Sequence, residues 1–287
     1  MAKTTTTTTK KSGTDLVPKQ TGGALALPSY GKEMAGAGWE NTDKADFQIP
    51  FLSQLQSLSP QCTDGDPKYI PGAKPGMFIN SVSQELIEGD VTLLMALTQH
   101  SYVEWRPQDS GGGFVGQHDV MSDVVKAAKA KAESQMDLKT PAGNDLVETF
   151  QVYALLLDGP DSIDVKEQVV ISFTKTKIKR YKAIMTRLRT LKGSQDIPLF
   201  AHRLTMSSTN EMKPKPYKNV QLVPAINGDV VASLLPGDSP LLELALGLRD
   251  AITAGAAKAN FDSTKTESGS GGKDEEADDV FGKGKKA

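Results

Sequence analysis

Eight cations stand in one stretch of this 287-residue chain with no carboxylate among them. Between Glu167 and Asp196 lie Lys175, Lys177, Lys179, Arg180, Lys182, Arg187, Arg189 and Lys192, and the interval contains neither Asp nor Glu. Each Lys or Arg that neutralises a phosphate releases condensed counterions, so a concentrated cationic surface suits a polyanion. An ordinary solvated face mixes both signs; this one carries a single sign. Lys175 and Lys177 alternate along an expected strand end, so both project to one side. Lys179, Arg180, Lys182, Arg187 and Arg189 continue the charge on an expected helix. Aromatic residues are interleaved with it: Phe173, Tyr181, Phe200, and Tyr217 beside Lys213, Lys215 and Lys218. Binding of a single-stranded nucleic acid needs both residue types, since cations track the backbone and aromatic faces stack unpaired bases. Phe173 and Tyr181 read as core. Tyr102, Trp105, Phe114 and Tyr217, near charged or Gly-rich loops, read as stacking platforms. Trp105-Arg106 beside Gly111-Gly112-Gly113 reads as a hairpin able to close on a strand.

The opposite sign gathers near the C-terminal end. Asp274, Glu275, Glu276, Asp278 and Asp279 fall within six positions and are followed by Val280 and Phe281, so the net charge of −2 hides a strong asymmetry. An acidic run ending in an aromatic residue is suited to a basic-rimmed apolar pocket on a partner protein, and it can also compete for the chain's own cationic surface.

Signals for catalysis are weak. His100, His118 and His202 have no ligand spacing with one another, and no Gly-x-x-x-x-Gly-Lys phosphate loop is present. Cys62 is the only cysteine, which excludes an intramolecular disulfide and a cysteine zinc cage. Clustered Asp, Glu and His outside the tail are too scarce for metal-dependent cleavage. The expectation is a non-enzymatic protein with no catalytic residue, metal or cofactor. No apolar run reaches membrane-spanning or signal-peptide length, so neither a membrane nor secretion is expected.

The elements that must position the charges follow from periodicity. Leu52, Leu55 and Leu58 recur at helix-like spacing. Strands are expected at 77–82, 90–98, 101–106, 146–158, 167–174, 200–207 and 217–223, and charged residues 120–136 read as helical. Ile178, Tyr181, Ile184, Met185, Leu188 and Leu191 make one apolar stripe on a helix over 178–191. A terminal helix over 240–259 starts with Ser239 as N-cap and Pro240 at the first helical position. Its face of Leu241, Leu242, Leu244, Ala245 and Leu248 serves either its own core, the favoured reading, or a second copy of the chain. Residues 1–45, with a run of six threonines, and 261–287 bury too little apolar surface to order themselves. The domain organisation is therefore a disordered arm over 1–45, one β-rich domain over 46–260, and a disordered acidic tail over 261–287. The class is mainly β with flanking helices, which favours a barrel or sandwich over a doubly wound sheet.

Several segments carry a family likeness: Ile49-Pro-Phe-Leu with Leu58-Ser-Pro60, Pro75-Gly-Met-Phe-Ile-Asn-Ser-Val82, and Tyr102-Val-Glu-Trp-Arg-Pro followed by Gly111-Gly-Gly-Phe. Over residues 46–225 the chain resembles bacteriophage single-stranded DNA-binding proteins built on an oligonucleotide/oligosaccharide-binding (OB) barrel with Greek-key connections. The resemblance implies sequence-independent coating of single-stranded DNA in phage DNA replication, recombination and repair. It also implies action in the cytoplasm of the infected host, and recruitment of replication or recombination proteins through the acidic tail. One departure is Gly282-Lys-Gly-Lys-Lys-Ala287, which follows Phe281 where such tails usually stop; it weakens tail docking more than DNA binding. Two rival readings remain. A single-strand annealing recombinase would form large rings, and a virion structural protein would touch packaged genome only.

Overall fold

The computed structural model describes Gly38 and residues 48–134, 137–191, 193–212, 216–255 and 258–259. Contacts divide the chain into two units, Met1–Glu40 and Asn41–Ala287, and all described residues except Gly38 belong to the second. The arms expected over 1–45 and 261–287 otherwise lie outside the described residues, as do Lys192, Lys213 and Lys215.

In chain order the strands are β1 (Gln48–Ile49), β2 (Leu52–Gln54), β3 (Phe78–Asn80), β4 (Leu86–Ile87), β5 (Val91–Trp105), β6 (Phe114–Asp119), β7 (Leu138–Lys139), β8 (Asp145–Leu157), β9 (Val165–Thr174), β10 (Arg203–Glu211), β11 (Tyr217–Pro224) and β12 (Lys258–Ala259). The helices are α1 (Asp123–Lys131), α2 (Thr176–Arg189) and α3 (Pro240–Thr253). The two strands expected at 90–98 and 101–106 are thus one, β5, whose 15 residues run unbroken apart from a bulge between Met95 and Leu97.

β5 and β8 form the spine of an antiparallel sheet. At one end the order is β11-β10-β5-β8-β9; at the other, β6 takes the β10 side of β5 and β7 takes the β9 side of β8. Side chains alternate along each strand, and both alternating sets are apolar at the first end. Leu93, Met95, Val152, Ala154, Leu156, Val169, Ile171 and Phe173 face one way, joined by Tyr181, Ile184 and Leu188 of α2 and by Leu52 and Phe78 of the small sheet β2-β3-β4. Leu94, Ala96, Tyr153, Leu155 and Val170 face the other way, under Leu241, Ala245, Leu248 and Ile252 of α3. The result is three layers with two cores. A third, smaller core of Tyr102, Val125, Ala128, Leu138 and Leu146 seats α1 on the α2 side of the second end.

This arrangement corrects the expected OB-like barrel. Barrel closure would join β9 to β11, but the sheet is open and those two strands are its edges. The physical reason lies in Leu93, Leu94 and Met95, all fully buried. Consecutive apolar residues need cover on both faces, and α2 together with the small sheet occupies the side that a closing barrel would fold inward. Instead, residues 50–56 cross from one edge to the other. Val170 N–H on β9 donates to the Pro50 carbonyl at 2.8 Å, and Phe51 bridges Val170 in parallel. At the far edge the Gln56 amide acts as a substitute strand, donating to the Lys218 carbonyl and accepting from the Lys218 N–H, both at 3.0 Å. Such caps remove unpaired edges that would otherwise recruit other chains.

Residues Leu52, Leu55 and Leu58 are corrected for the same reason. Phe51 and Leu52 are both buried because they face different cores, so the run is strand followed by loop, and Leu58 is 65% exposed. In the loop beyond, Gly76 at φ +99° brings the chain so close to β10 and β11 that a Cβ would stand 2.8 Å from the Ser208 hydroxyl. The terminal helix ends at Thr253; Ser239 holds its N-cap position with Pro240 following, but the Ser239 hydroxyl makes no capping bond.

Candidate nucleic-acid interface

α2 follows β9 through a single residue. Lys175 makes that corner with φ +47° and ψ −122°, a conformation that glycine adopts more readily than a residue with a Cβ. The helix then presents Tyr181, Ile184 and Leu188 to the core, with Ile178, Met185 and Leu191 partly buried beside them. Fully burying a side chain of this size is worth about 1.5–3 kcal/mol, so the apolar stripe fixes which way the cations point.

With 3.6 residues per turn, the cations divide between two flanks. Arg180 and Arg187, seven apart, face β10 and β11. Arg180 is ion-paired with Glu211 of β10, and Arg187 donates to the Gly228 carbonyl beyond β11. Lys182 and Arg189, also seven apart, lie on the flank toward β8. There the Lys182 ammonium sits 5.2 Å from the centre of the Phe150 ring and 3.8 Å from the Glu148 carboxylate. Lys179 is exposed near the crest of the helix, Lys175 is exposed at its corner, and Lys177 is half-buried. The interval that is free of acid in sequence therefore meets at least two carboxylates in space, Glu211 and Glu148.

The Lys182 flank adjoins a row of rings. Phe173 and Tyr181 lie 5.4 Å apart, Tyr181 and Phe150 4.8 Å, Phe150 and His100 4.1 Å, and His100 and Tyr102 6.0 Å. The row exists because β5 and β8 pair with His100 opposite Phe150 and Tyr102 opposite Glu148. Phe173 is fully buried and Tyr181 nearly so; burial pushes the Tyr181 phenol above its ordinary value, against a hydrogen bond with Thr98. Tyr102 is only 3% exposed and lies beneath Lys129 of α1, whose ammonium is 4.6 Å from the ring centre. It presents no face to a base, contrary to its expected role as a platform. His100 is the most exposed ring of this row, with 39% of its side chain exposed while Phe150 is partly buried, and Glu148 anchors its Nε2 at 3.0 Å.

The other expected platforms lie elsewhere. Trp105 is half-buried and, by alternation along β5, leaves the sheet on the side opposite His100 and Tyr102. It meets Phe114 edge-on at 5.9 Å across the hairpin, where Arg106 N–H bonds the Gly113 carbonyl. Tyr217 is half-buried and opens β11 opposite Glu211. Lys213, Lys215 and the tail residues Asp274, Glu275, Glu276, Asp278, Asp279 and Phe281 lie outside the described residues.

The end of the sheet that carries Tyr102 is tied by a buried carboxylate. Glu104 accepts from Asn144 at 2.7 Å and Thr140 at 3.1 Å through one oxygen and meets His118 Nε2 at 2.6 Å through the other, joining β5, β6 and the β7–β8 turn. Burial alone would raise its pKa, but the bonds from Asn144, His118 and Thr140, with the attraction of the His118 charge, outweigh it and hold the group below the usual carboxylate value.

His100, Phe150, Glu148 and Lys129 were not legible as site residues. They come from three separate stretches of sequence; strand register brings His100, Phe150 and Glu148 together, and the packing of α1 adds Lys129. Among the described residues no cluster of three or more His, Cys, Asp or Glu could hold a metal ion, and no helix is long and apolar enough to cross a membrane. No curated protein and no solved structure matches the chain. Residues 19–258 match the family described as Pam3 phage gp34-like protein. That span is well over half of the sequence, and so the chain belongs to the Pam3 phage gp34-like family, a family of bacteriophage proteins.

Proposed function

We propose that this phage protein is a non-enzymatic, largely sequence-independent single-stranded DNA-binding protein that protects and organises single strands during phage DNA replication, recombination and repair. The observation that carries the reading is the surface where Lys182 of α2 and Lys129 of α1 border a solvent-reaching ring. Lysines there displace counterions from a sugar-phosphate chain, and an exposed ring gains only from a base that is already unstacked. Duplex DNA offers phosphates but no free base face, so a single strand uses both features and a duplex only one. The arginine flank contributes less, because Arg180 is hydrogen-bonded to Glu211 and Arg187 to the Gly228 carbonyl, whereas Lys182 stands 3.8 Å from Glu148, beyond hydrogen-bond distance. Expected partners are single-stranded DNA, replication or recombination proteins through residues 274–281, and a second copy of the chain.

Fluorescence anisotropy of a labelled oligonucleotide at two salt concentrations tests the reading. Binding should weaken as salt rises, with the logarithm of affinity falling about 0.7 per phosphate neutralised for each logarithmic unit of salt. No binding at low salt, or binding indifferent to salt, removes it.

A further inference from the structure

We propose that His100 is the base platform of this surface: one unpaired nucleobase lies on its outer face while Lys182 and Lys129 hold the flanking phosphates. The inference rests on the single-strand reading above and narrows it to one residue that the sequence pattern did not single out.

Three observations carry it. The imidazole is held still, with one face parallel to Phe150 at 4.1 Å and an interplanar angle of 10°, and its edge fixed by Glu148 at 3.0 Å. A ring already in its bound orientation loses little entropy when a ligand stacks on it. Of the other rings in the row, Tyr102, Tyr181 and Phe173 are 3%, 5% and 0% exposed, and Phe150 is partly buried with one face against His100, so His100 is the most open ring to an arriving base. Cations flank His100 within the row, with Lys182 over Phe150 on one side and Lys129 over Tyr102 on the other.

Glu148 decides what lies on the imidazole. Its carboxylate stands at the ring edge and repels a phosphate from that spot, whereas a neutral base brings amino and imino donors that a carboxylate accepts. The charge order along the row, cation, carboxylate-edged ring, cation, thus matches phosphate, base, phosphate. A glutamate that would weaken a purely electrostatic groove is consistent with a subsite for a base.

Two oligodeoxynucleotides of equal length, one of deoxyadenosine and one abasic throughout, separate the stacking contribution from the phosphate contribution. The unaltered protein should bind the base-bearing strand about five- to tenfold more tightly than the abasic one, as the lower part of the range for one stacked base. His100→Ala should close that gap, and His100→Phe, which keeps a ring, should restore most of it. Lys182→Ala should weaken both strands alike and make the salt dependence shallower. A gap that survives His100→Ala, or that is absent from the unaltered protein while both strands bind, overturns the platform and leaves the cationic groove standing. Should neither strand bind at low salt, the groove itself fails. If His100→Ala does not fold, His100→Phe and the comparison of the two strands still decide the question.

Discussion

Arg180 and Lys182 are two residues apart on α2, yet they belong to different surfaces. Arg180 reaches β10 and is neutralised by Glu211, and Arg187 on the same flank is bound to a backbone carbonyl. Lys182 looks across Phe150 toward an exposed imidazole, at 3.8 Å from Glu148, too far for a hydrogen bond. The arginine flank ties the helix to the β10–β11 hairpin; on the other flank Lys182 stands beside an open ring. Equal charge on one helix therefore divides between two surroundings, and what divides it is the partner that each neighbouring strand supplies.

The comparison breaks completely if the helix loses its seat. Phe173 is fully buried beneath Tyr181, so Phe173→Ala should cost about 3–5 kcal/mol and abolish both flanks together, as read by urea unfolding and by oligonucleotide binding. A smaller change should separate the flanks. Lys182→Glu places a second carboxylate beside Glu148 and should lower oligonucleotide affinity at least about tenfold at low salt. Arg180→Ala should change affinity less than about threefold, because exposed ion pairs contribute roughly 0–1 kcal/mol and this charge is already paired. Equal losses from the two substitutions would show that the flanks are one surface.

Acid should act on the β10 side first. His202, immediately before β10, is 3% exposed, and burial holds its pKa below the ordinary imidazole value. The folded chain keeps this ring neutral, while the unfolded chain takes up a proton below about pH 6.5. Stability that is complete at neutral pH should therefore fall as pH drops from about 6.5 through the depressed value, with a slope approaching about 1.4 kcal/mol per pH unit. A second loss should follow in the carboxylate range, since Glu104 is held below its ordinary value and its contribution disappears once it is protonated. Thermal unfolding between pH 7.5 and 5 reads the first loss, and His202→Gln should flatten it.

Part of this was legible residue by residue. The stripe from Ile178 to Leu191 announces α2 because a helix repeats every 3.6 residues whatever it packs against. The run Val91–Leu97 announces a strand buried on both faces, a stronger argument against a barrel than the β-rich composition is for one. Leu52 to Leu58 misled for a different reason. Here a three-residue strand gives way to loop, and leucines from both, one of them exposed, fall by coincidence at helical spacing.

The sequence by itself determined the membership of α2, the single-sign charge it carries and the apolar faces of the main strands, because these follow from neighbours a few residues away. Only the tertiary structure decided which carboxylates the cations meet and which ring is most open to water. Glu148, Glu211 and His100 lie 34, 31 and 82 residues from Lys182, Arg180 and Lys182 respectively. Coulomb attraction and ring stacking depend on separation in space, and strand register together with the packing of α2 on the sheet, not chain order, sets that separation.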